Sequence, residues 1–366
     1  MPQTKSMTQR DRFLKWMTFD PVDRVPLMEM GIWPETIARW HSEGLPPWVR
    51  ELRHLEDHLG LDVSFNKNWL PIDQELYPPG ESEVIEEDDE TVTRRDGLGV
   101  ILREQKWNKT IPQYIRFPVE NENDYERFRE RLDGKDPGRY PQEFDQNLHW
   151  RIVRGEIVGI NIPAFFGWPR KIMGFENWCM AYYDQPDLVR RIIADRLQLA
   201  KDLFARVLAT GAVDFVQIWE DMAFKTASMI SPGLVREFML PAYSDLVAYF
   251  RDHGVKLIMV DSDGRVTDLL PVWLEAGIDG CHPCEIAAGS DPNLLRQAHP
   301  RCTLLGGVDK REIAKGKEGV DRELARLQPV IDQGAFIPMI DHFVPPDISY
   351  DTYRYYVDRR REILFR

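Results

Sequence analysis

The chain has few cysteines and no long apolar run. Four cysteines among 366 residues, Cys179, Cys281, Cys284 and Cys302, are too sparse for a disulfide scaffold and indicate a reducing compartment. No stretch approaches the roughly 18 apolar residues that a membrane span needs, and the polar N-terminal segment has no signal-peptide core. We therefore expect a cytoplasmic protein with no membrane partner.

Several common functional motifs are missing as well. The sequence has no GxGxxG after a strand, no GxxxxGK[ST], no GxSxG and no HExxH, so dinucleotide binding, P-loop chemistry, hydrolase and zinc-peptidase sites lose their main support. Basic residues are outnumbered, because 47 Lys and Arg stand against 60 Asp and Glu, for a net charge of −13. This charge disfavours a nucleic acid partner.

What the chain does have is a regular alternation of apolar runs and amphipathic stretches, beginning near residue 155. The predicted strands are 157–163, 215–221, 256–261, 278–282, 302–308 and 335–341. The predicted helices are 187–208, 232–251, 266–275, 292–298, 319–332 and 350–364. Strands that alternate with helices through short loops predict parallel βαβ units. We expect an α/β protein that forms a single (β/α)8 TIM-type barrel.

The first 155 residues are less regular. Residues 24–30 and 34–43 are typical of an opening strand and helix. Six acids fall within 83–90, a pattern typical of a solvated edge. The runs 91–95 and 98–102 predict a hairpin that turns at Asp96-Gly97. We expect residues 1–366 to form one barrel domain with an antiparallel β-hairpin insertion at about 75–120.

Polar residues directly follow three of the apolar runs. They are Glu220, Asp221, Asp261, Asp263, Asp341 and His342. Active sites of such barrels lie at the carboxyl ends of the strands, so these groups are expected to share one cavity as metal ligands or as acids and bases. The plainer alternative is that Asp263 caps a helix and that the Asp341-His342 pair is a simple polar contact.

A second polar group occurs at 281–285. Its C-x-x-C pair lacks the second ligand pair that a structural zinc site needs nearby in sequence. Cys281 completes an apolar run and is expected in the core. His282, Cys284 and Glu285 are lower-ranked candidate ligands, as is Glu220.

At these residues the chain resembles the uroporphyrinogen decarboxylase superfamily, which contains the decarboxylase and zinc-dependent methyltransferases that act with corrinoid proteins. The resemblance covers nearly the whole chain. It rests on Thr8-Gln-Arg-Asp-Arg-Phe-Leu, Pro21-Val-Asp-Arg-Val-Pro, Gln217-Ile-Trp-Glu-Asp-Met-Ala, Ile230-Ser-Pro, Phe238-Met-Leu-Pro-Ala-Tyr, Gly306-Gly-Val-Asp and His342-Phe-Val-Pro-Pro-Asp. It implies a distorted (β/α)8 barrel with a cleft at the C-terminal mouth, and often a homodimer.

The two branches of the superfamily differ in their site residues. The decarboxylase keeps an arginine-rich segment after its first strand, where this chain has Met30-Gly-Ile-Trp-Pro-Glu-Thr. The methyltransferases keep a His-x-Cys-Gly motif and a further cysteine, at whose positions this chain has Asp261, Asp263 and His342. The resemblance therefore implies a zinc site of two carboxylates and one imidazole, which is a harder ligand set than one with thiolates.

The leading hypothesis is a zinc-dependent methyltransferase that passes a methyl group between a small substrate, such as a methoxylated aromatic, and a corrinoid. The corrinoid would be carried by a separate cobalamin-binding protein. Glu220, Asp221 and His342 are the candidate catalytic residues, and Trp33, Trp168 and Asp341 the candidate substrate contacts, with Trp69 and Trp219 as further aromatic candidates. The alternatives are a metal-free decarboxylase or lyase acting on a carboxylic acid, and a non-catalytic ligand-binding barrel.

Overall fold

The computed structural model describes residues 7–67, 69–107 and 112–365, so residues 1–6 of the polar N-terminal segment and 108–111 of the expected insertion lie outside it. The strands are β1 Glu83–Glu87, β2 Thr91–Arg95, β3 Ile101–Gln105, β4 Gln113–Arg116, β5 Gly159–Pro163, β6 Phe215–Trp219, β7 Leu257–Asp261, β8 Gly280–His282, β9 Thr303–Val308 and β10 Phe336–Ile340. The α-helices are α1 Gln9–Met17, α2 Pro34–Ser42, α3 Leu52–Leu59, α4 Glu122–Arg129, α5 Phe144–Val153, α6 Gly167–Met173, α7 Phe175–Asp184, α8 Pro186–Leu208, α9 Pro232–Leu234, α10 Leu240–Asp252, α11 Leu270–Glu275, α12 Pro292–Ala298, α13 Lys310–Ile313, α14 Lys317–Asp332 and α15 Tyr350–Leu364.

Six parallel strands form the central sheet, in the order β10-β9-β8-β7-β6-β5. They coincide with the six predicted apolar runs to within two residues at each end, which confirms the α/β prediction. Every residue of β9 and of β10 is buried. Strands of a parallel sheet are covered on both faces, so they are apolar throughout and stand out in the sequence. The predicted helix 232–251 is divided, because a π-helical turn at Val235–Met239 separates α9 from α10.

The segment 24–30 was expected to be a regular barrel strand, and this expectation is wrong. Within the described residues, the region between β10 and β5 is crossed by chain that makes isolated bridges. Ile32 bridges Val344 beyond β10, and Trp69 bridges Gly159 in β5. The described residues thus contain six of the eight parallel strands predicted for the barrel, and these six do not close into an eight-stranded ladder.

Local chemistry explains why 24–30 does not form a ladder. Pro26 has no backbone N–H to donate. The N–H of Leu27 donates to the Asp62 carboxylate at 2.8 Å, and the Arg24 guanidinium binds the same carboxylate at 2.6 Å. The carbonyl of Leu27 accepts from the N–H of Asp62 at 2.8 Å. A carboxylate therefore takes the place of a neighbouring strand at this point.

Helix α1 covers the N-terminal end of the central sheet. The indole N–H of Trp16 donates to the carbonyl of Phe336, the first residue of β10, at 2.9 Å. Phe13 is fully buried and packs edge-on against Phe215, the first residue of β6, with ring centroids 6.0 Å apart. Because this end is filled by apolar rings, a polar cavity is left to the opposite end, where the strands finish.

The insertion is a four-stranded antiparallel sheet in the order β1-β2-β3-β4, larger than the predicted hairpin. All five residues of β1 are exposed at the sheet edge, which agrees with the predicted solvated acidic run. Glu83 pairs with Arg95 at 2.8 Å, and Glu86 lies 3.4 Å from Arg103. Charged side chains on an edge strand discourage pairing with other chains.

The hairpin of β2 and β3 turns differently from the prediction. Arg95 pairs with Ile101, so residues 96–100 form a five-residue loop instead of a two-residue Asp-Gly turn. The Asp96 carboxylate accepts from the N–H groups of Leu98 and Val100, each at 2.9 Å. The positive φ falls at Gly99, where it is 92°. The side chain of Asp96 thus organises the loop and moves the left-handed residue two positions along the chain.

The described helices contain none that is both long enough and apolar enough to cross a membrane.

Candidate functional site

The carboxyl ends of the central strands surround a cavity of about 610 Å³, called the main cavity below. It is lined by Met30, Gly31, Ile32, Pro34, Ile37, Arg50, Glu51, Leu52, Asn66, Trp69, Asn161, Gln217, Trp219, Asp221, Asp261, Asp263, His282, Pro283, His342 and Phe343. Parallel strands finish at the same edge of a sheet, so the residues after them meet there. Five of the predicted polar site residues are brought together in this way, namely Asp221, Asp261, Asp263, His342 and the lower-ranked candidate His282.

A hydrogen-bonded network of four side chains forms the floor of the main cavity. The amide nitrogen of Gln217 donates to Asp261 Oδ2 at 2.6 Å and to Asn161 Oδ1 at 3.1 Å. The amide oxygen of Gln217 lies 2.8 Å from His282 Nε2. Because an amide oxygen only accepts, His282 carries its proton on Nε2. Its buried Nδ1 has no hydrogen-bond partner and lies 4.0 Å from Asp261 Oδ1.

Burial shifts both titratable groups of this floor toward their neutral forms. Desolvation lowers the pKa of His282 to about 3. Burial, followed by the nearby carboxylates of Asp263 and Asp221, raises the pKa of Asp261 well above its usual range. Desolvation disfavours a charge, and neighbouring like charges disfavour it further. The floor is therefore a polar surface with little charge at the carboxyl ends of β5 to β8.

Asp263 and His342 form a second polar pair. Asp263 Oδ2 lies 3.7 Å from His342 Nε2, and 44% of the Asp263 side chain is exposed. Burial raises the pKa of Asp263 to about 6, with His342 opposing this shift and the Asp221 carboxylate adding to it. The ring of Trp33 stacks on His342 with centroids 5.9 Å apart. Such a pair can exchange a proton with a bound molecule near neutral pH.

A sharp turn brings Asp263 back toward Asp261. Gly264 has a φ of 85°, and a Cβ atom at this position would lie 2.4 Å from the carbonyl oxygen of Ala223. The N–H of Gly264 donates to Glu285 at 3.0 Å. Glycine is needed at this turn, because both the dihedral angle and the close approach exclude a side chain.

Asp221 lies in the wall of the main cavity with an unusual backbone. Its φ is 45°, a left-handed conformation that is uncommon for a residue other than glycine. Arg170 holds it, donating to the Asp221 carbonyl at 2.8 Å and to its carboxylate at 3.2 Å. Strain of this kind persists where surrounding contacts enforce it, and it is common at functional sites.

Glu220 does not line the main cavity, although it directly precedes Asp221. Its fully buried carboxylate accepts from the N–H groups of Phe165, Phe166 and Gly167 at 2.6 to 2.9 Å and from the hydroxyl of Tyr243 at 2.6 Å. Both carboxylate oxygens are therefore saturated. Burial raises the pKa of Glu220, and these donors oppose the shift. The structure corrects the prediction of a catalytic or ligating Glu220, because this carboxylate anchors the loop after β5.

Two predicted substrate contacts also lie outside the main cavity. The Asp341 carboxylate is fully buried and accepts from the backbone N–H groups of Ile286 at 3.0 Å and Lys310 at 3.4 Å. Trp168 is fully buried as well, and its indole N–H donates to Glu75 at 2.8 Å. Both predictions are corrected, since these side chains stabilise the loops around the cavity. Trp33 lies at the rim, 41% exposed.

Among the lower-ranked candidate ligands, His282 lines the main cavity, whereas Cys284 and Glu285 do not. His282 lies in the floor described above, whereas the Glu285 carboxylate accepts from Gly264 and lies 3.7 Å from Lys310. Cys284 is fully buried, with its sulfur 4.0 Å from the carbonyl oxygen of Cys281. Cys281 is 1% exposed, which confirms that it belongs to the core. All four cysteines are free thiols.

The predicted zinc ligands do not form a ready-made metal site. Asp263 and His342 are close to each other, but Asp261 is tied to Gln217 at 2.6 Å. Across the residues that the structure describes, no three His, Cys, Asp or Glu side chains are grouped closely enough to hold a metal ion. The described geometry therefore does not fit a three-ligand zinc centre.

Asn161 and Gln217 were not among the predicted site residues, because the prediction used only residues at the ends of the strands or after them. Each is a polar residue inside an otherwise apolar strand, β5 and β6 respectively, and the two are paired in register. A polar side chain in a buried parallel strand needs a partner, so this pattern was a usable signal.

Comparison with known proteins supports the family suggested by the motifs. The family model described as "Uroporphyrinogen decarboxylase (URO-D)" matches residues 165–363. No curated protein sequence matches the chain significantly. A methyltransferase structure from Methanosarcina mazei aligns at 14% identity with a TM-score of 0.61, covering 98% of this chain and 99% of that one.

A second solved structure, assigned as a vitamin-B12 independent methionine synthase from Listeria monocytogenes, aligns at 11% identity with a TM-score of 0.40, covering 94% of this chain and 98% of that one. At 14% identity the Methanosarcina match indicates a shared fold. The TM-score of the Listeria match is too low to establish a shared fold. The family model covers more than half of the chain, including β6 to β10 and the residues that follow these strands. The chain therefore belongs to the uroporphyrinogen decarboxylase (URO-D) family, a family of enzymes with a TIM-barrel fold.

Proposed function

We propose that this enzyme is a methyltransferase whose main cavity binds a small methylated molecule, and that Asp263 and His342 manage the proton at its leaving group. The observation that carries the proposal is the Asp263–His342 pair, 3.7 Å apart beside two further aspartates, with the pKa of Asp263 raised to about 6. A carboxyl group with such a pKa is partly protonated near neutral pH, as a general acid must be.

The charge of the main cavity supports a neutral or cationic substrate. Besides Asp261, whose raised pKa favours its neutral form, the lining has three acidic residues, Glu51, Asp221 and Asp263, against a single arginine, Arg50. A tetrapyrrole with several carboxylates would meet repulsion here and would find too few cations to bind it. Decarboxylation of such a substrate is therefore not favoured, although the family carries the decarboxylase name.

The proposed reaction balances with the residues present. The methyl carbon forms a bond to an incoming nucleophile as its bond to an oxygen or nitrogen of the substrate breaks. The electron pair of that bond goes to the leaving atom, which takes the proton of Asp263. His342 can return a proton to Asp263 before the next turnover. Removing one positioned acid typically slows such a step by about 10²- to 10⁴-fold.

The methyl acceptor is proposed to be a corrinoid carried by a separate cobalamin-binding protein, and a methoxylated aromatic is the first substrate to test. The name of the Methanosarcina neighbour, a methyltransferase, agrees with this direction. Trp69 and Trp219 in the cavity lining and Trp33 at its rim offer rings against which an aromatic molecule can pack.

A methyl-transfer screen tests the proposal. Purified protein would be mixed anaerobically with chemically reduced cobalamin and with methoxylated aromatics or methylamines, and methylcobalamin would be followed by its absorption spectrum. We expect Asp263→Asn and His342→Gln to lower the rate by about 100-fold or more, and Asp268→Asn, a change at an exposed carboxylate, to leave it unchanged. Release of carbon dioxide from a carboxylic acid without any methyl transfer would replace this proposal by a lyase.

A further inference from the structure

A second chamber, of about 540 Å³, lies between the inserted sheet and the carboxyl edge of the central sheet. It is lined by Asp96, Leu98, Val100, Leu102, Tyr114, Phe117, Arg170, Lys171, Phe175, Trp219 and Asp221. Trp219 and Asp221 also line the main cavity, so the two spaces share a wall. A molecule that reaches past these two side chains would occupy both.

The wall that the insertion contributes is apolar and partly aromatic. Leu98, Val100 and Leu102 come from the loop after β2 and from β3, and they present aliphatic side chains. Tyr114 and Phe117 stack with centroids 5.5 Å apart and ring planes at 28°. Surfaces of this kind bind flat apolar groups, because burial of apolar area is favourable and rings stack on rings.

The wall that the barrel contributes holds two cations, Arg170 and Lys171, and one carboxylate, Asp221, to which Arg170 is hydrogen-bonded. The charged ends of Arg170 and Lys171 each lie 5.5 Å from the ring of Trp219. The Lys171 ammonium donates one hydrogen bond to Glu75, at 2.8 Å, which leaves two of its three N–H groups available. The chamber's Asp96 carboxylate already accepts from two backbone N–H groups. The remaining N–H groups of Lys171 are therefore the donors that the chamber offers to an anion.

The two spaces therefore differ in the charge they accept. Besides the shared Asp221, the main cavity is lined by the carboxylates of Glu51 and Asp263, which repel an anion, whereas the second chamber contains Arg170 and Lys171, which attract one. We propose that the second chamber binds the carboxylate of a flat apolar acid whose uncharged methyl-bearing end lies in the main cavity. This inference rests on the proposed function, because that function places the reacting group beside Asp263. The substrates would then be methylated aromatic acids, bound with the carboxylate in the second chamber and the methyl group in the main cavity.

Ligand binding tests the assignment without turnover. Isothermal titration of the full-length protein would compare 4-methoxybenzoate with 4-methoxybenzamide, which has nearly the same shape and no charge. We expect the acid to bind about tenfold tighter than the amide. Lys171→Gln keeps a donor for Glu75. It should weaken binding of the acid by about five- to tenfold and leave binding of the amide unchanged. Lys256→Gln, at an exposed residue just before β7 at the opposite edge of the sheet, should change neither.

A second variant guards against a misfolded Lys171→Gln protein. Leu98→Glu adds a carboxylate to the chamber from the insertion side, and we expect it to abolish acid binding and to preserve amide binding. Equal affinity of the acid and the amide for the unaltered protein would overturn the inference. So would an equal loss of both ligands in folded Lys171→Gln protein, as judged by an unchanged melting temperature.

The two proposals can fail separately. If the acid is preferred and Lys171→Gln removes the preference, but no methylated acid transfers a methyl group, the chamber assignment stands and the proposed function fails. If methyl transfer occurs with the same kcat/KM for the amide as for the acid, the proposed function stands and the chamber assignment fails.

Discussion

Asp263 links the chemistry of the main cavity to pH. Its pKa is raised to about 6, mainly by burial, whereas the pKa of an aspartate in an unfolded chain is about 3.9. Between these two values the folded protein binds more protons than the unfolded chain does. The contribution of Asp263 to stability is therefore present below pH 4 and is lost as the pH rises through 6. The same direction holds for Asp261, whose pKa is also raised by burial.

We predict that Asp263→Asn makes the protein less sensitive to alkaline pH. The neutral amide removes a carboxylate that must ionise inside the cavity, so the melting temperature of the variant should fall less between pH 5 and pH 8 than that of the unaltered protein. Scanning calorimetry at both pH values provides the measurement. An identical pH dependence of the two proteins would show that Asp263 titrates normally in the folded state.

Glu220 and Asp221 show how adjacent residues acquire opposite roles. Side chains alternate between the two sides of a strand, so Gln217 and Trp219 share the cavity side of β6. Strand β6 ends at Trp219, and Asp221 reaches the main cavity through its left-handed backbone, whereas Glu220 bonds to the loop after β5. The period of two could therefore not have sorted these two residues, nor Asp341 and His342, because β10 ends at Ile340.

We predict that Glu220→Gln destabilises the protein although the side chain keeps its shape. An amide nitrogen would replace one oxygen that accepts buried N–H groups, and an unsatisfied buried donor costs about 1–3 kcal/mol. Urea denaturation would measure the loss. Glu318→Gln, at an exposed position of α14, is the matched control and should change the unfolding free energy by no more than about 0.5 kcal/mol. A cost as small as that of the control would contradict the anchoring role of Glu220.

At the scale of elements, six strands could be predicted because each is an apolar run between amphipathic helices. The segment 24–30 has the same composition but not the same structure, since Pro26 and the Leu27–Asp62 hydrogen bond remove it from the ladder. The Leu27–Asp62 hydrogen bond joins residues 35 positions apart, and a local sequence pattern does not reveal such a contact. The loop 96–100 likewise depends on where the Asp96 side chain bonds.

The turn after β7 yields a prediction about glycine. Gly264 and Gly254 have nearly the same φ, 85° and 84°, but a Cβ atom would meet Ala223 at 2.4 Å in the first and nothing within 4 Å in the second. We expect Gly254→Ala to cost about 1 kcal/mol for the dihedral strain alone, and Gly264→Ala to cost at least about 1 kcal/mol more because backbone must move. Denaturant titration of both variants checks the difference. Equal costs would mean that the loop after β7 relaxes freely.

At the scale of the whole molecule, the metal content follows from how the strand ends are arranged. Asp261 is held by Gln217, and Asp263 and His342 alone provide two ligands where zinc in catalytic sites has three from the protein. We expect purified protein to contain well under one zinc per chain by mass spectrometry of the metal. One zinc per chain that is lost in both Asp261→Ala and His342→Ala would contradict this expectation and support the three-ligand site implied by the family resemblance.

The contact between Trp16 and Phe336 spans 320 residues of sequence. During synthesis, α1 leaves the ribosome long before β10, the strand that receives its indole hydrogen bond. The contact between the rings of Phe13 and Phe215 likewise forms only after β6 has been translated. Contacts between such distant residues slow folding and prolong the exposure of apolar surface. Helix α1 therefore docks fully on the central sheet only after translation of β10, and until then its apolar face stays uncovered.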